Sequence, residues 1–266
     1  MTEKRETLPT QIGRRTVLLA TGATAAALAV TAATPKTPTS PTPPTSAQAG
    51  DSVDTVPVAA TAVCTLTREM TEGPYYLDGQ YVRADIHENK TGIPLKLTLT
   101  VVDDDTCAPL KNALVELWHC DALGEYSGFV GQNGHSEPDN GTFLRGGVLT
   151  DASGLANITT VYPGWYRGRC VHIHLKVHTN VTLTPDGSFT GGRELHTGQL
   201  YFSETITRRV AALPTYAVNT VPRTTLTQDS IYDGGGAVSG LLTLTALGTS
   251  PSAGYGATLT VGVETG

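Results

Sequence analysis

Charge is scarce in this 266-residue chain: 16% of its residues are Asp, Glu, Lys or Arg, and the formal net charge is −6. No basic patch occurs beyond the first 15 residues, so no nucleic-acid partner is expected. None of the four cysteines (Cys64, Cys107, Cys120, Cys170) forms a CxxC pair, which argues against a thiolate metal site. There is no strong helical stripe, no internal repeat, and no second linker after the first sixty residues. Long helices and repeat arrays are thereby excluded. What is plentiful is Gly (29) and Pro (16), with recurrent Thr and Val, the composition of many short strands joined by turns.

The beginning of the chain has its own character. "KRETLPTQIGRRTVLLATGATAAALAVTAAT" combines a basic start, the pair Arg14-Arg15 and an Ala/Val/Leu run that closes on small residues. That is the layout of a twin-arginine export signal over residues 1–33, cut near Ala32 to Ala33, and it predicts a secreted or cell-wall-associated protein. A membrane anchor is the alternative, but the run from Thr16 to Ala33 is only mildly apolar and about the minimum spanning length. No lasting anchor is expected. Residues 34–60, beginning "TPKTPTSPTPPTSAQAG", are too poor in large apolar side chains to offset ordering entropy and read as a disordered spacer. Residues 61–266 are then one folded domain, starting near Val58 to Cys64. In an exported protein four cysteines permit two disulfides, in any of three pairings.

Within that domain "PLKLTLTVVD" (94–103), "NALVELWHCD" (112–121), "GQLYFS", "LLTLTALG" and "ATLTVGV" read as strands. In "GVLTDASGLANITTVYP" the turn Asp151-Ala152-Ser153-Gly154 between two strand-like runs predicts a hairpin. The fold class that follows is mainly β: an antiparallel β-sandwich core with long loops.

The most informative stretch is "RCVHIHLKVH" (169–178). Val171, Ile173, Leu175 and Val177 alternate with His172, His174, Lys176 and His178, the period of a half-buried strand. Three of the chain's seven histidines thus share one face, and the rings of His172 and His174 emerge roughly 6.5–7 Å apart along the strand. A solvated face is the plain reading. A divalent-metal hydrolase would want carboxylates beside the pair, and none is close in sequence. Two Gly-flanked turns supply tyrosines instead: Tyr166 in "YPGWYRGR" (162–169) and Tyr126 in "VELWHCDALGEYSG" (115–128). Phenol, with a pKa near 10, is a poor ligand for soft or divalent ions, but a hard trivalent cation stabilises phenolate strongly. Two Tyr and two His therefore make a ferric set, although ten tyrosines also leave room for ordinary turn aromatics.

The segments "EGPYY" (72–76), "VELWHCDALGEYS" (115–127), "FLRGGVLTDASGLANITTVYPGWYRGRCVHIH" (143–174) and "GQLYF" (198–202) together resemble the intradiol ring-cleavage dioxygenases, of the protocatechuate and catechol dioxygenase kind and in their small exported branch. The resemblance implies a β-sandwich that holds non-haem Fe(III). Tyr126 and His172 would be equatorial ligands, Tyr166 and His174 axial ones, with a hydroxide completing the set. It implies that Arg169 steadies the substrate as it gains ketone character and that Gln199 supports the site from behind. The implied reaction cleaves a small catecholic aromatic with O₂ to a cis,cis-muconate-type product. Pocket residues are expected from Glu72 to Tyr76 and from Trp165. Cys120 and Cys170, beside the ligand-bearing turns, suggest a bracing disulfide with Cys64 or Cys107. His119 is expected to be structural, His178 too far along the strand to reach the same ion, and His135 and His196 to be loop residues. An oligomer of identical chains is compatible with all of this. The rival reading is a secreted, non-catalytic β-sandwich binding module for metal or carbohydrate.

Overall fold

Leu95, Leu97, Leu99 and Val101 alternate with Lys96, Thr98 and Thr100, and the alternation turns the aliphatic set inward, where each is at most 1% exposed. The computed structural model describes residues 64–78 and 81–266, all within one compact unit, Val58–Gly266. The proposed signal (1–33) and spacer (34–60) lie outside the described residues. The strands are β1 (Pro94–Asp103), β2 (Leu114–Trp118), β3 (Arg145–Leu149), β4 (Leu155–Val161), β5 (His172–Thr179), β6 (Thr182–Leu183), β7 (Phe189–Thr190), β8 (Arg193–Tyr201), β9 (Thr243–Ala246) and β10 (Tyr255–Val263). Two four-stranded sheets, in the orders β4-β1-β10-β9 and β3-β2-β5-β8, carry the architecture, with β6 and β7 as a small ribbon. Aliphatic residues of β1, β4 and β10 form one core with Val115, Leu117, Ile173, Leu175, Val177 and Leu200 of the second sheet. The protein is a mainly β sandwich.

Three details differ from what local pattern suggests. β10 lies parallel to β1, from Leu95↔Tyr255 to Asp103↔Val263, so the first sheet is mixed rather than antiparallel. Parallel partners need a long crossover, and here almost the whole domain intervenes. The turn at Asp151 has the expected chemistry, since Asp151 Oδ1 accepts the N–H groups of Ser153 (2.8 Å) and Leu155 (3.0 Å). Yet β3 and β4 enter different sheets, so the turn is an arch between layers and not a hairpin. Turn residues set a local reversal, but which neighbour each flank then pairs with is decided by the layers.

The third detail bears on function. β5 is buried on both faces rather than half-buried. Ile173, Leu175 and Val177 enter the core, and the segment from Thr67 to Tyr76 covers the polar face. Met70 N–H donates to Thr197 O (2.9 Å), Lys176 Nζ pairs with Glu72 (2.7 Å) and Glu194 (2.6 Å), and the Tyr76 ring packs on Trp118 at 4.9 Å. Covering a polar face is tolerable only where its groups find partners, and the Lys176 ammonium finds two carboxylates.

Two short helices, α1 (Glu204–Ala211) and α2 (Pro214–Ala217), leave no clear mark in the sequence. Helices this short gain their stability from packing, here of Val210 and Tyr216, rather than from propensity. Tyr216 Oη donates to Tyr162 O (2.7 Å) and accepts from Ile93 N (3.1 Å). Cys64 and Cys107 form a disulfide across 43 residues, a closure that stabilises by about 4 kcal/mol in the chain-entropy account. Cys120 and Cys170 are buried and free, so only one of the two expected bridges forms, and it does not brace the ligand turns. Among the described residues no helix is long and apolar enough to cross a membrane.

Candidate metal centre

The four candidate ligands are delivered by three separately braced elements. His172 and His174 come from one face of β5. The His174 ring lies flat against Trp118 of the neighbouring strand, with centroids 4.9 Å apart and planes within 6°. The loop after β2 carries Tyr126. Asp121 Oδ1 accepts Leu123 N (2.9 Å) and Glu125 N (3.0 Å) to start it, and the wholly buried Glu125 carboxylate accepts the N–H groups of Gly131, Asn133 and His135 to close it. Arg145 grips the next residue, donating from Nε to Ser127 Oγ (2.7 Å) and from Nη2 to Ser127 O (2.8 Å). The loop that carries Tyr166 docks on the first through Gly164, whose N–H donates to Asp121 O (3.0 Å).

The result is a convergence on His172 Nε2. His174 Nε2 lies 3.1 Å from it, Tyr166 Oη 3.3 Å, Arg169 Nη1 3.4 Å and Tyr126 Oη 3.5 Å. The tautomer follows from the other nitrogen: His172 Nδ1 is 2.7 Å from Cys170 O, which can only accept, so Nδ1 carries the proton and Nε2 presents its lone pair to the cluster. Burial, reinforced by the Arg169 charge, pushes His172 down to about 3, and burial, with competition from the adjoining His172 and the Arg169 charge, keeps His174 low as well. Both imidazoles are therefore neutral and ligand-ready. Burial raises the pKa of both phenols, and at Tyr126 the neighbouring Tyr166 raises it further. By themselves these hydroxyls would stay protonated.

Does this set suit a trivalent ion? One imidazole lone pair cannot serve two phenol oxygens and a second imidazole nitrogen at once, whereas a cation between the four would draw on a lone pair from each, with Arg169 left outside the set. Ionising two costly phenols requires a strong positive charge, which a hard trivalent ion supplies. Among the described residues no group of three or more His, Cys, Asp or Glu side chains is placed to hold a metal, so the donors on offer are phenol and imidazole. Among the described residues the buried Nδ1 of His174 has no hydrogen-bond partner, and the ring is held by its stack on Trp118 and by edge contacts with Tyr126 and His172. The donor set fits ferric iron.

Arg169 and Gln199 join the same cluster. Arg169 Nη2 donates to Gln199 Oε1 (2.6 Å), and Gln199 Nε2 donates to Thr71 O (2.8 Å). All six residues read from the sequence are thus brought together. Sequence reasoning missed Asp229, whose carboxylate accepts from Arg169 Nε (2.9 Å) and Cys170 N (2.7 Å) out of a C-terminal segment with no motif. Burial opposes its ionisation, but Cys170 N–H and the Arg169 charge outweigh that and hold its carboxyl down to about 2. A folded-state pKa below the ordinary 3.9 contributes stability above about pH 4, roughly 2 kcal/mol, and that contribution is lost as pH falls through 2. The urea midpoints of wild type and Asp229→Asn are therefore expected to differ by a constant amount above pH 4 and to converge towards pH 2. A gap that persists at pH 2 would contradict the assignment.

A cavity of about 130 Å³ opens at the phenols, lined by Tyr75, Gly124, Tyr126, Gln132, Asn133, Tyr166 and Arg167. Tyr75 stacks on Tyr126 with centroids 4.5 Å apart, as expected of the Glu72–Tyr76 stretch. Trp165 does not line it. Its ring belongs to the core and its Nε1 donates to Val221 O (2.7 Å), because the Pro-Gly turn directs it inward. A larger cavity, about 800 Å³, lies beside Lys90, Asp121, Glu137 and Phe143 and holds none of the six residues. His119 is structural, with partners at 2.8 Å on both nitrogens, and His178 pairs with Glu116 at 3.0 Å. His135 is in a loop, but His196 is a buried residue of β8 beside Glu69, since that strand begins five residues earlier than "GQLYFS" suggests.

Comparison with known proteins places this arrangement. The sequence family described as "Dioxygenase" matches residues 71–203, half of the chain. An intradiol ring-cleavage dioxygenase from Tetranychus urticae superposes with a TM-score of 0.66 at 29% identity, covering 76% of this chain and 95% of that one. Catechol 1,2-dioxygenase of Acinetobacter baylyi is 34% identical over 113 residues, 41% of this chain and 35% of that protein. Chlorocatechol 1,2-dioxygenase of a Pseudomonas species is 29% identical over 149 residues, 47% of this chain and 57% of that protein. The chain therefore spans between about a third and somewhat more than half of the length of these curated relatives. Because the matched segment contributes every one of the six convergent side chains, family and geometry agree, and the chain belongs to the intradiol ring-cleavage dioxygenases.

Proposed function

We propose that this protein cleaves a catechol between its hydroxyl-bearing carbons with O₂, using a non-haem Fe(III) held by Tyr126, Tyr166, His172 and His174, to give a cis,cis-muconate-type product. The observation that carries the reading is the gathering of two phenol oxygens and a second imidazole nitrogen within 3.1–3.5 Å of His172 Nε2. When bound, ferric iron supplies Lewis acidity, chelating the catecholate and drawing electron density from its ring.

The chain's own residues do the rest. Two phenolates offset two of the three positive charges, which matters in a site where uncompensated charge is costly. Tyr166, half-buried at the cavity mouth, is placed to leave its position and take up a substrate proton. Tyr126, 2% exposed and stacked under Tyr75, stays. Arg169 brings a fixed positive charge next to His172 Nε2, where negative charge would grow on the ring oxygen. The 130 Å³ cavity is below the usual range of about 300 Å³ upwards for ligand pockets, which favours a single ring such as the catechols named for the relatives. The Cys64–Cys107 bridge supports the further proposal that the enzyme works outside the cell after twin-arginine export.

The purified protein, loaded with ferric iron, is expected to be red-brown and to take up one O₂ for each catechol, with muconate absorbance rising in step. A colourless protein that takes up no oxygen would point to the binding-module reading.

A further inference from the structure

We propose that Asp229 is a positioning residue that aims Arg169 at the reaction centre; this rests on the intradiol reading above. A guanidinium is a rigid plane with its donors in a fixed fork, so fixing two of its nitrogens fixes the third. Asp229 Oδ2 holds Nε at 2.9 Å, Gln199 Oε1 holds Nη2 at 2.6 Å, and Nη1 is left 3.4 Å from His172 Nε2. Neither holder can swing. Gln199 Nε2 is committed to Thr71 O, and Tyr201 Oη donates to the same Oε1 that Arg169 uses (3.0 Å). Asp229 is 1% exposed. Its Oδ2 also accepts Cys170 N (2.7 Å), and its Oδ1 accepts Ile231 N (2.9 Å) and Tyr232 N (3.2 Å).

Charge points the same way. Among the described residues Arg169 makes one ion pair, with Asp229, and a partly buried guanidinium without a counter-ion would be costly and would turn towards solvent. Asp229 keeps it inside. Asp229 also lies outside residues 71–203, so the C-terminal segment supplies a part of the site that the family match does not cover.

Asp229→Asn keeps one oxygen for the turn at Ile231 and Tyr232, but turns an NH₂ group towards two donors, Arg169 Nε and Cys170 N. The test compares wild type, Asp229→Asn, Arg169→Ala and the double variant, each loaded with iron. Turnover of catechol is measured together with the visible spectrum and the affinity for 4-nitrocatechol. Asp229→Asn is expected to lower kcat by about 10- to 100-fold, the usual effect of misplacing a group by about 1 Å, with colour and 4-nitrocatechol affinity unchanged. The double variant should be no slower than Arg169→Ala alone, because the aspartate then has nothing to aim. If Asp229→Asn does not fold, Asp229→Glu, which keeps the charge but shifts it by one methylene, should show the same split. Wild-type kcat in a folded variant, loss of colour along with kcat, or a full additional loss on top of Arg169→Ala would each overturn the proposal while leaving the reaction assignment standing. A wild-type protein that binds iron but consumes no O₂ with any catechol would overturn both.

Discussion

His172→Ala is expected to give a folded but colourless protein whose oxygen uptake with catechol falls by more than the roughly 10- to 100-fold that loss of an outer-shell partner costs a metal site. The reason is geometric. Every other candidate donor is measured from His172 Nε2, and its tautomer is fixed by Cys170 O, so the variant removes the lone pair around which the cluster is arranged. Tyr126→Phe is the sharper companion, because it deletes one oxygen and leaves the Tyr75 stack and the packing on Trp118 and Cys120 in place. Removing one of the two phenolates also weakens and shifts the red-brown absorption. Both variants are checked by iron content, visible spectrum and an oxygen electrode. Colour and turnover retained in both would refute the ligand set.

The second large effect should come from a residue with no chemistry. A Cβ added at Gly164 would lie 2.3 Å from Ala122 O and 2.5 Å from Asp121 O, backbone atoms of the loop that carries Tyr126. Gly164→Ala must therefore push the two tyrosine loops apart. Overpacking of this kind costs about 1–3 kcal/mol, or roughly 2–10 °C in Tm for a domain of this size. The iron stoichiometry should fall more than the stability loss alone accounts for, because the displaced loops are those that carry Tyr126 and Tyr166. Gly187→Ala provides the control. It strains a left-handed backbone position, φ +84°, but meets nothing within 4 Å and lies in the turn between β6 and β7, so it should lower Tm and leave the iron content intact. Equal iron loss in both variants would mean that general destabilisation, not loop docking, controls the centre.

Much of the candidate site is legible in the sequence. "HIH" on a period-two stretch determines that two imidazoles share a face, because side chains of a strand alternate whatever the strand pairs with. The Pro-Gly and Gly-flanked turns mark where Tyr166 and Tyr126 leave regular structure, and the order of motifs is enough to name the family. Asp229 carries no such signal: a lone aspartate in a C-terminal segment looks like any surface carboxylate until folding places it 2.9 Å from Arg169. Trp165 and His196 depart from expectation for a related reason, since composition near a motif does not say which side of a turn faces the cavity.

The sequence by itself determined the strand faces, the turn positions and the chemical identity of the donors, all properties of a few neighbouring residues and their covalent geometry. The tertiary structure alone decided that β10 runs parallel beside β1, that the Asp151 turn bridges two sheets, that residues 67–76 cover the polar face of β5, and that Asp229 meets Arg169. Each of these depends on which distant surfaces close on one another, a choice made by burial of the whole core and satisfaction of every buried polar group, and no local window of sequence contains it.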